Sequence, residues 1–420
     1  MNDKILLESI NMKKNKEKKE INRNDRIRKP NILVQTLIRG LFGSILRVFL
    51  YVRTNRDKEI DNLEGPVIFI GNHVSAIDPV AMGAFASKRW IHYVTSSSYF
   101  EYAVVALLLN YFGAISKRQG TKDVRATKKI VRILRDNGVV GLFPEAARTI
   151  DGSSLPFNDS VARLAKQTKS NIVVSKMHGA AISLPRWYKG CSGGYRYGRI
   201  QQEAYVLLKK EEVKEKSADE IHEMIVKALS YNEYEWQKVH KVKYRSKSMA
   251  DGMHSILHKC PKCLKDFSMA TYENLLFCKE CDNRVIVDEY GLLRAETRND
   301  ASFEDMVQWR TWQNGYLRKE VADDDFSMRF RGSLRIKDID GKVTKEYKIC
   351  TLIVDKENVT FTYGDFSAKI PYSSITDVVS DYSYRFEINL ETDAYQFAPR
   401  NGQTVIKISD SIKCIKGILV

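Results

Sequence analysis

PVIFIGNHVSAIDPVAM, residues 66–82, joins a short apolar run to a loop and then to an Asp-Pro pair. The run 66–71 is rich in β-branched residues and too short for a helix, so it reads as a buried strand. Asp78 at an N-cap with Pro79 behind it predicts a helix start. A strand feeding a helix is the unit of a layered α/β fold. The crevice beyond such a strand end, here Gly71-Asn72-His73, is where these folds hold ligands. Histidine is the side chain suited to base catalysis near neutral pH. A carboxylate five residues on can reach back to its other ring nitrogen if the loop curls. His73 and Asp78 are therefore either a helix cap beside an incidental histidine or half of an active site.

The surroundings agree with the α/β reading. VVGLF (139–143) and NIVVSKM (171–177) are two more apolar strands, and TKKIVRILRDNG is a helix ending at Gly138. Ser217 to Glu220 forms a capping box that opens a helix through Leu229. Ala103 to Leu109 is a short apolar helix, core-packed or lipid-facing. At 420 residues the chain has room for two or three domains. Its formal net charge of +16 favours a polyanion or an anionic membrane as partner. Residues 1–30 read as a basic disordered tail without the apolar core of a signal peptide.

Residues 31–54 read as an amphipathic helix, with Leu33, Leu37, Leu41, Ile45 and Phe49 at near-helical spacing. Arg39, Arg47 and Arg53 interrupt it too often for a membrane span. It is expected to lie in the membrane interface, the alternative being a core-packed helix.

Two further stretches bear on His73. YFGAISKRQG (111–120) carries Lys117 and Arg118 after Gly113, and GLFPEAART (141–149) carries Glu145 and Arg148 after a strand. Arginine at the end of a buried segment suits a phosphate. Together the stretches resemble the motif blocks of the glycerolipid acyltransferases, the 1-acylglycerol-3-phosphate acyltransferase family. His73 and Asp78 match its H-x-x-x-x-D block. Gly113, Ile115 and Arg118 resemble the second block, and Phe143-Pro144-Glu145 with Arg148 the third. Ile172 to Ser175 is similar to the fourth. The resemblance covers residues 30 to 230.

It implies a domain with a mixed central sheet flanked by helices, over 55–245. It implies that His73 deprotonates an acceptor hydroxyl, which attacks an acyl-CoA or acyl-carrier-protein thioester, with Asp78 orienting His73. Asn72, Gly113, Arg118, Glu145 and Arg148 would serve substrate binding. The acceptor would be a lysolipid such as 1-acyl-glycerol-3-phosphate, and the place the cytoplasmic face of a membrane, as a peripheral or monotopic protein. Ala146 and Ala147 stand where the third block usually has Gly and Thr, and Ser175 where the fourth has Pro, which leaves the acceptor's head group open.

Cys260-x-x-Cys263 and Cys278-x-x-Cys281, 14 residues apart, have the spacing of a four-thiolate zinc ribbon, assigned to 246–290. A structural Zn²⁺ is expected, with no redox cofactor. His254 and His258 are surplus to it, and Cys191, Cys350 and Cys414 read as buried thiols. Residues 291–324 read as a helical connector, with Trp309 and Trp312 on one side. Residues 325–420 read as a small all-β, barrel-like domain of pleckstrin-homology type, closed by a C-terminal helix over 409–420. Two rivals remain at this stage. One is a catalytically inactive lipid-binding or adaptor protein on the same scaffold. The other is a zinc-ribbon nucleic-acid binder, which the few basic residues of the ribbon loop argue against, so no nucleic acid is expected.

Overall fold

The computed structural model describes residues 28–118, 123–187, 195–338, 341–381 and 384–419. Most of the expected basic tail, and Cys191, lie outside them. Helix α1 spans Ile32–Val48, capped by the Asn31 side chain on the Val34 amide, and β1 follows at Val52–Arg56. The expected helix over 31–54 thus ends early. Tyr51 takes a left-handed backbone (φ 49°), and Val52, Arg53 and Thr54 pair in parallel with a later strand. The stripe Leu33, Leu37, Leu41, Ile45 and Phe49 does not pack on the core. Leu33 and Leu37 are 78% and 71% exposed.

Then come β2 (Val67–Ile70), α2 (Asp78–Ala81), β3 (Ile91–Ser96), α3 (Ala103–Tyr111) and β4 (Ile115–Lys117). Next are α4 (Val124–Arg135), β5 (Val139–Leu142), α5 (Ser160–Thr168), β6 (Asn171–His178) and α6 (Ala180–Ser183). The domain ends with β7 (Ile200–Leu208), α7 (Lys210–Glu215), α8 (Ala218–Leu229, opened by the Ser217/Glu220 capping box) and α9 (Glu233–His240). The seven strands form one mixed sheet in the order β1-β7-β6-β2-β5-β3-β4. β6 and β7 run antiparallel and every other pair is parallel. β2 is wholly buried, as its unbroken VIFI run requires of a central parallel strand. One sheet face packs on α4, α5 and α8, through residues such as Ile68, Ile130, Ala162 and Ile225. The other packs Phe69 and Val173 against Met82 and Ala86, in a π-turn that continues α2.

The cysteine module is a four-stranded antiparallel sheet, β8 (Met269–Tyr272), β9 (Leu275–Cys278), β10 (Arg284–Val287) and β11 (Leu293–Ala295). Its last strand falls within the expected connector. That connector is helical only from α10, Met306–Ala322, where Asp305 caps the helix. The module is no appendage. Its Met269, Leu276 and Val285 share one core with Trp187 and Tyr234 of the first domain and with Trp309 of α10.

The C-terminal domain is a seven-stranded antiparallel sheet covered by α11 (Thr404–Ile415). Its strands are β12 (Ser327–Lys337), β13 (Val343–Asp355), β14 (Asn358–Tyr363), β15 (Phe366–Pro371), β16 (Asp377–Asp381), β17 (Arg385–Asn389) and β18 (Ala394–Pro399). The order is β15-β14-β13-β12-β18-β17-β16, with β15 and β16 at opposite edges, so the expected barrel is an open sheet among the described residues. α11 starts before the expected 409 because Thr404 and Val405 already pack inward.

Candidate active site and cysteine centre

β2 and β5 are neighbours in register, Ile70 beside Leu142, and both run the same way. Their carboxyl ends therefore deliver His73 and Phe143 to one place, and the two rings stack with centroids 4.5 Å apart. β4 brings Lys117 and Arg118 to the same edge through β3. These ends border a cavity of about 1000 Å³, lined by His73, Lys117, Arg118, Phe143 and Arg148 among others.

Asp78 is not the N-cap. It occupies the first helical position behind Ile77, and its carboxylate turns back over the loop. It accepts from the backbone amides of Val74 (2.7 Å) and Ser75 (2.9 Å) and from the Ser75 hydroxyl (2.6 Å). These three donors fix it, 1% exposed, 2.9 Å from His73 Nδ1. A carboxylate can only accept there, so Nδ1 carries the proton and Nε2 keeps its lone pair. The ring itself borders the cavity and is 21% exposed.

The third block does more than carry an arginine. The Thr149 amide donates to the His73 carbonyl at 2.7 Å. The Glu145 carboxyl accepts from the Leu155 amide at 3.1 Å, and the neighbouring His73 amide favours its charged form. His73 is thus held at its backbone carbonyl by Thr149 and at its ring by Asp78. Glu145 lies behind the cavity wall rather than on it, 7% exposed, and burial pushes its pKa up to about 8. Expected to bind substrate, it sits outside the cavity lining, beside the His73 backbone.

Asn72 and Gly113 are likewise behind the wall. Asn72 is fully buried and clamps β2 to β6, exchanging hydrogen bonds with the Met177 backbone at 2.8 and 2.9 Å. Gly113 (φ +70°) makes a turn in which an added Cβ would stand 1.9 Å from the Arg28 carbonyl oxygen. Ser175 accepts from Gln202 Nε2 at 2.9 Å beneath the sheet, so its departure from proline bears on the strand and not on the cavity. Arg118 and Arg148, both half-buried, are the expected substrate residues that do line it. Phe143 as the platform under His73 and Glu145 behind the cavity wall were not foreseen. Their place in one strand-end block was the available signal.

Residues 43–177 match the family described as Acyltransferase. Over 166 residues the chain is 26% identical to the 1-acyl-sn-glycerol-3-phosphate acyltransferase of Borreliella burgdorferi, covering 39% of this chain and 66% of that protein. Residues 43–177 are an acyltransferase domain. The crystal structure of the 1-acyl-sn-glycerophosphate (LPA) acyltransferase PlsC from Thermotoga maritima aligns at 19% identity. It covers 46% of this chain and 78% of that one, with a TM-score of 0.36. The acyltransferase domain owns His73, Asp78, Arg118, Glu145 and Arg148, and the chain beyond it adds the cysteine centre and the C-terminal sheet.

In that centre the ligand atoms of Cys260, Cys263, Cys278 and Cys281 all lie within 4.8 Å of one another. Two sulfur pairs, 260–281 and 263–278, stand at 3.7 Å. Tetrahedral Zn–S bonds of roughly 2.3 Å place sulfurs about 3.8 Å apart, so the set fits such an ion. The nearby histidines are engaged elsewhere, His254 with Thr271 and His258 with Asp266.

Proposed function

We propose that this protein is an O-acyltransferase that moves an acyl chain from a thioester to the free hydroxyl of a lysophospholipid at a membrane surface. The observation that carries the reading is the His73–Asp78 pair, held at 2.9 Å with the ring on the cavity. His73 Nε2 takes the acceptor hydroxyl's proton as its oxygen attacks the thioester carbonyl. Asp78 holds the tautomer that makes this possible and stabilises the imidazolium that forms. The thiolate of the acyl-CoA or acyl-carrier-protein donor then leaves and takes the proton back. Arg118 and Arg148 hold the acceptor's phosphate, which fixes its hydroxyl within reach of the base. The related protein's name and the family match support the acyl-transfer class.

The test is labelled acyl-CoA with a panel of lysolipids. His73→Ala is expected to lower kcat by about 10²–10⁴, the usual worth of a general base. A variant with undiminished turnover would end the reading.

Membrane docking is assigned to α1 with α3. Leu33, Leu37 and Leu41 on α1 and Val104 and Leu107 on α3 are exposed, more apolar surface than a solvated helix pair needs. No helix among the described residues is long and apolar enough to cross a membrane, which fits docking in the interface. Leu37→Glu with Leu41→Glu is expected to weaken sedimentation with anionic vesicles at least about tenfold, given several buried side chains' worth of lost transfer energy. Unchanged sedimentation would move the docking surface elsewhere. The four cysteines are assigned a structural Zn²⁺, which would lock β8–β11 and take no part in the acyl-transfer step.

A further inference from the structure

The active-site cavity has a second wall, and the acyltransferase domain does not provide it. The cavity that His73 and Arg148 line is also lined by the C-terminal sheet. Register explains which residues reach it. Arg335, Gln396 and Glu387 lie directly opposite one another across β12, β18 and β17, and Lys337 is aligned with Asn389 two residues along. All five line the cavity. Their neighbours in sequence, Leu334, Ile336, Phe386, Ile388 and Phe397, point the other way into the domain's own core. So the polar face of this sheet, which period two would assign to solvent, is turned on the active site.

That face is built. Glu387 Oε2 accepts from Lys337 Nζ at 3.2 Å and from Gln396 Nε2 at 2.9 Å, and Arg385 Nη1 donates to Gln396 Oε1 at 3.2 Å. Lys337 is only 12% exposed, and Gln396 8%. The domain is also fixed where it stands. Ile406 of α11 enters the core shared by the first domain and the cysteine module. Lys407 bridges Asp266 (2.6 Å) and Glu320 (2.5 Å), Arg310 bridges Asp151 and Asp410, and Arg186 donates to the Ser380 carbonyl.

We infer that this face reads the acceptor's head group beyond its phosphate, and that the preferred acceptor is a lysophospholipid whose phosphate is a diester of a polyol or amino alcohol. The inference rests on the proposed acyl transfer and deepens it. The two cavity arginines of the third and second blocks suffice for a phosphate, and Ala147 adds no hydroxyl on their side. The ladder of amide, carboxylate and ammonium groups offers donors and acceptors together. That combination suits hydroxyl or amine substituents and is wasted on a bare phosphate.

The experiment compares kcat/KM of the full chain for lysophosphatidic acid, lysophosphatidylglycerol and lysophosphatidylethanolamine, with one acyl-CoA. A second arm varies the donor at saturating acceptor. Wild type is expected to prefer a diester over lysophosphatidic acid. Glu387→Gln, which keeps shape and fold, and Lys337→Met are expected to shrink that preference about tenfold through acceptor KM, the worth of one or two hydrogen bonds. Lys369→Ala, on β15 away from the cavity, should leave it unchanged. A wild-type preference for lysophosphatidic acid overturns the inference while leaving acyl transfer standing. So does a change that falls on donor KM alone. Turnover of no acceptor at all overturns the acyl-transfer reading itself.

Discussion

The two seven-stranded sheets of this molecule meet one cavity in different ways. The mixed sheet meets it with an edge: the carboxyl ends of β2, β4 and β5 hand over His73, Arg118 and Phe143 through short loops. The antiparallel sheet meets it with a face: alternate residues of β12, β17 and β18 lie across it. An edge concentrates function into contiguous blocks and lets each loop be tuned alone. A face spreads it over strands far apart in sequence, and its position depends on whatever holds the whole domain. The edge is therefore local in its requirements and the face global.

The largest expected effect tests that global requirement. The cysteine centre and α11 share a core with the first domain, and ion pairs among Asp266, Lys259, Glu320 and Lys407 tie the centre to α10 and α11. Cys263→Ser would remove one thiolate of the proposed Zn²⁺ site. Given the binding energy that structural zinc contributes to folding, a loss on the order of 3 kcal/mol or more is expected. Because the core is common, calorimetry should show one lowered transition together with loss of bound zinc. A separate transition for the module, with the rest unmoved, would make the face independent of the metal and break the comparison.

The same contrast governs what could be read from sequence. His73, Asp78, Arg118 and Arg148 fall in strand-end blocks whose spacing is visible along the chain. The β-branched runs of β2, β5 and β6 and the Ser217 capping box likewise declare themselves locally. Asn72, Gly113 and Glu145 were legible as positions but not as roles. Whether a side chain faces a ligand or pins a backbone depends on partners such as Met177, Arg28 and Leu155, which are distant or in another turn. Asp78 looked like an N-cap because Pro79 follows it. Three donors in the preceding loop pull its carboxylate the other way. The polar face of the C-terminal sheet was not legible at all. Its alternation is that of any half-buried strand, and only tertiary packing makes one side a cavity wall.

A smaller effect sharpens the edge. Glu145 is held protonated by burial to about pH 8, from an ordinary value near 4.5. Between those values the folded chain keeps a proton that the unfolded chain has released. Glu145's contribution to stability therefore falls as pH rises through that window, while His92, His178 and His258, whose pKa values burial lowers, contribute in the opposite sense. Glu233, pushed up to about 7 by burial, acts in the same sense, so Glu145 accounts for part of the slope. Glu145→Gln keeps an acceptor for the Leu155 amide and is expected to remove the Glu145 share of the pH dependence. Denaturant titrations at about pH 5 and pH 8 measure it across most of that window. An unchanged slope would mean the carboxyl is ionised in place.

The smallest effect concerns one residue of the same turn. Ala146 holds φ +57°, the left-handed region that costs a residue with a Cβ about 1 kcal/mol and costs glycine nothing. It stands in the turn whose amide closes on the Phe143 carbonyl at 3.0 Å, directly beneath the His73 platform. The turn that presents Glu145 and Arg148 demands this conformation whatever the side chain. Ala146→Gly removes the strain but loosens the unfolded chain, and these oppose each other at roughly equal size. The net gain in stability should thus stay below about 1 kcal/mol, read from denaturant midpoints. Turnover should hold, since His73 is held by Asp78 and Thr149 rather than by the Ala146 side chain. A loss of more than about 1 kcal/mol would show that this methyl contributes packing of its own, and that the edge is less local than its blocks imply.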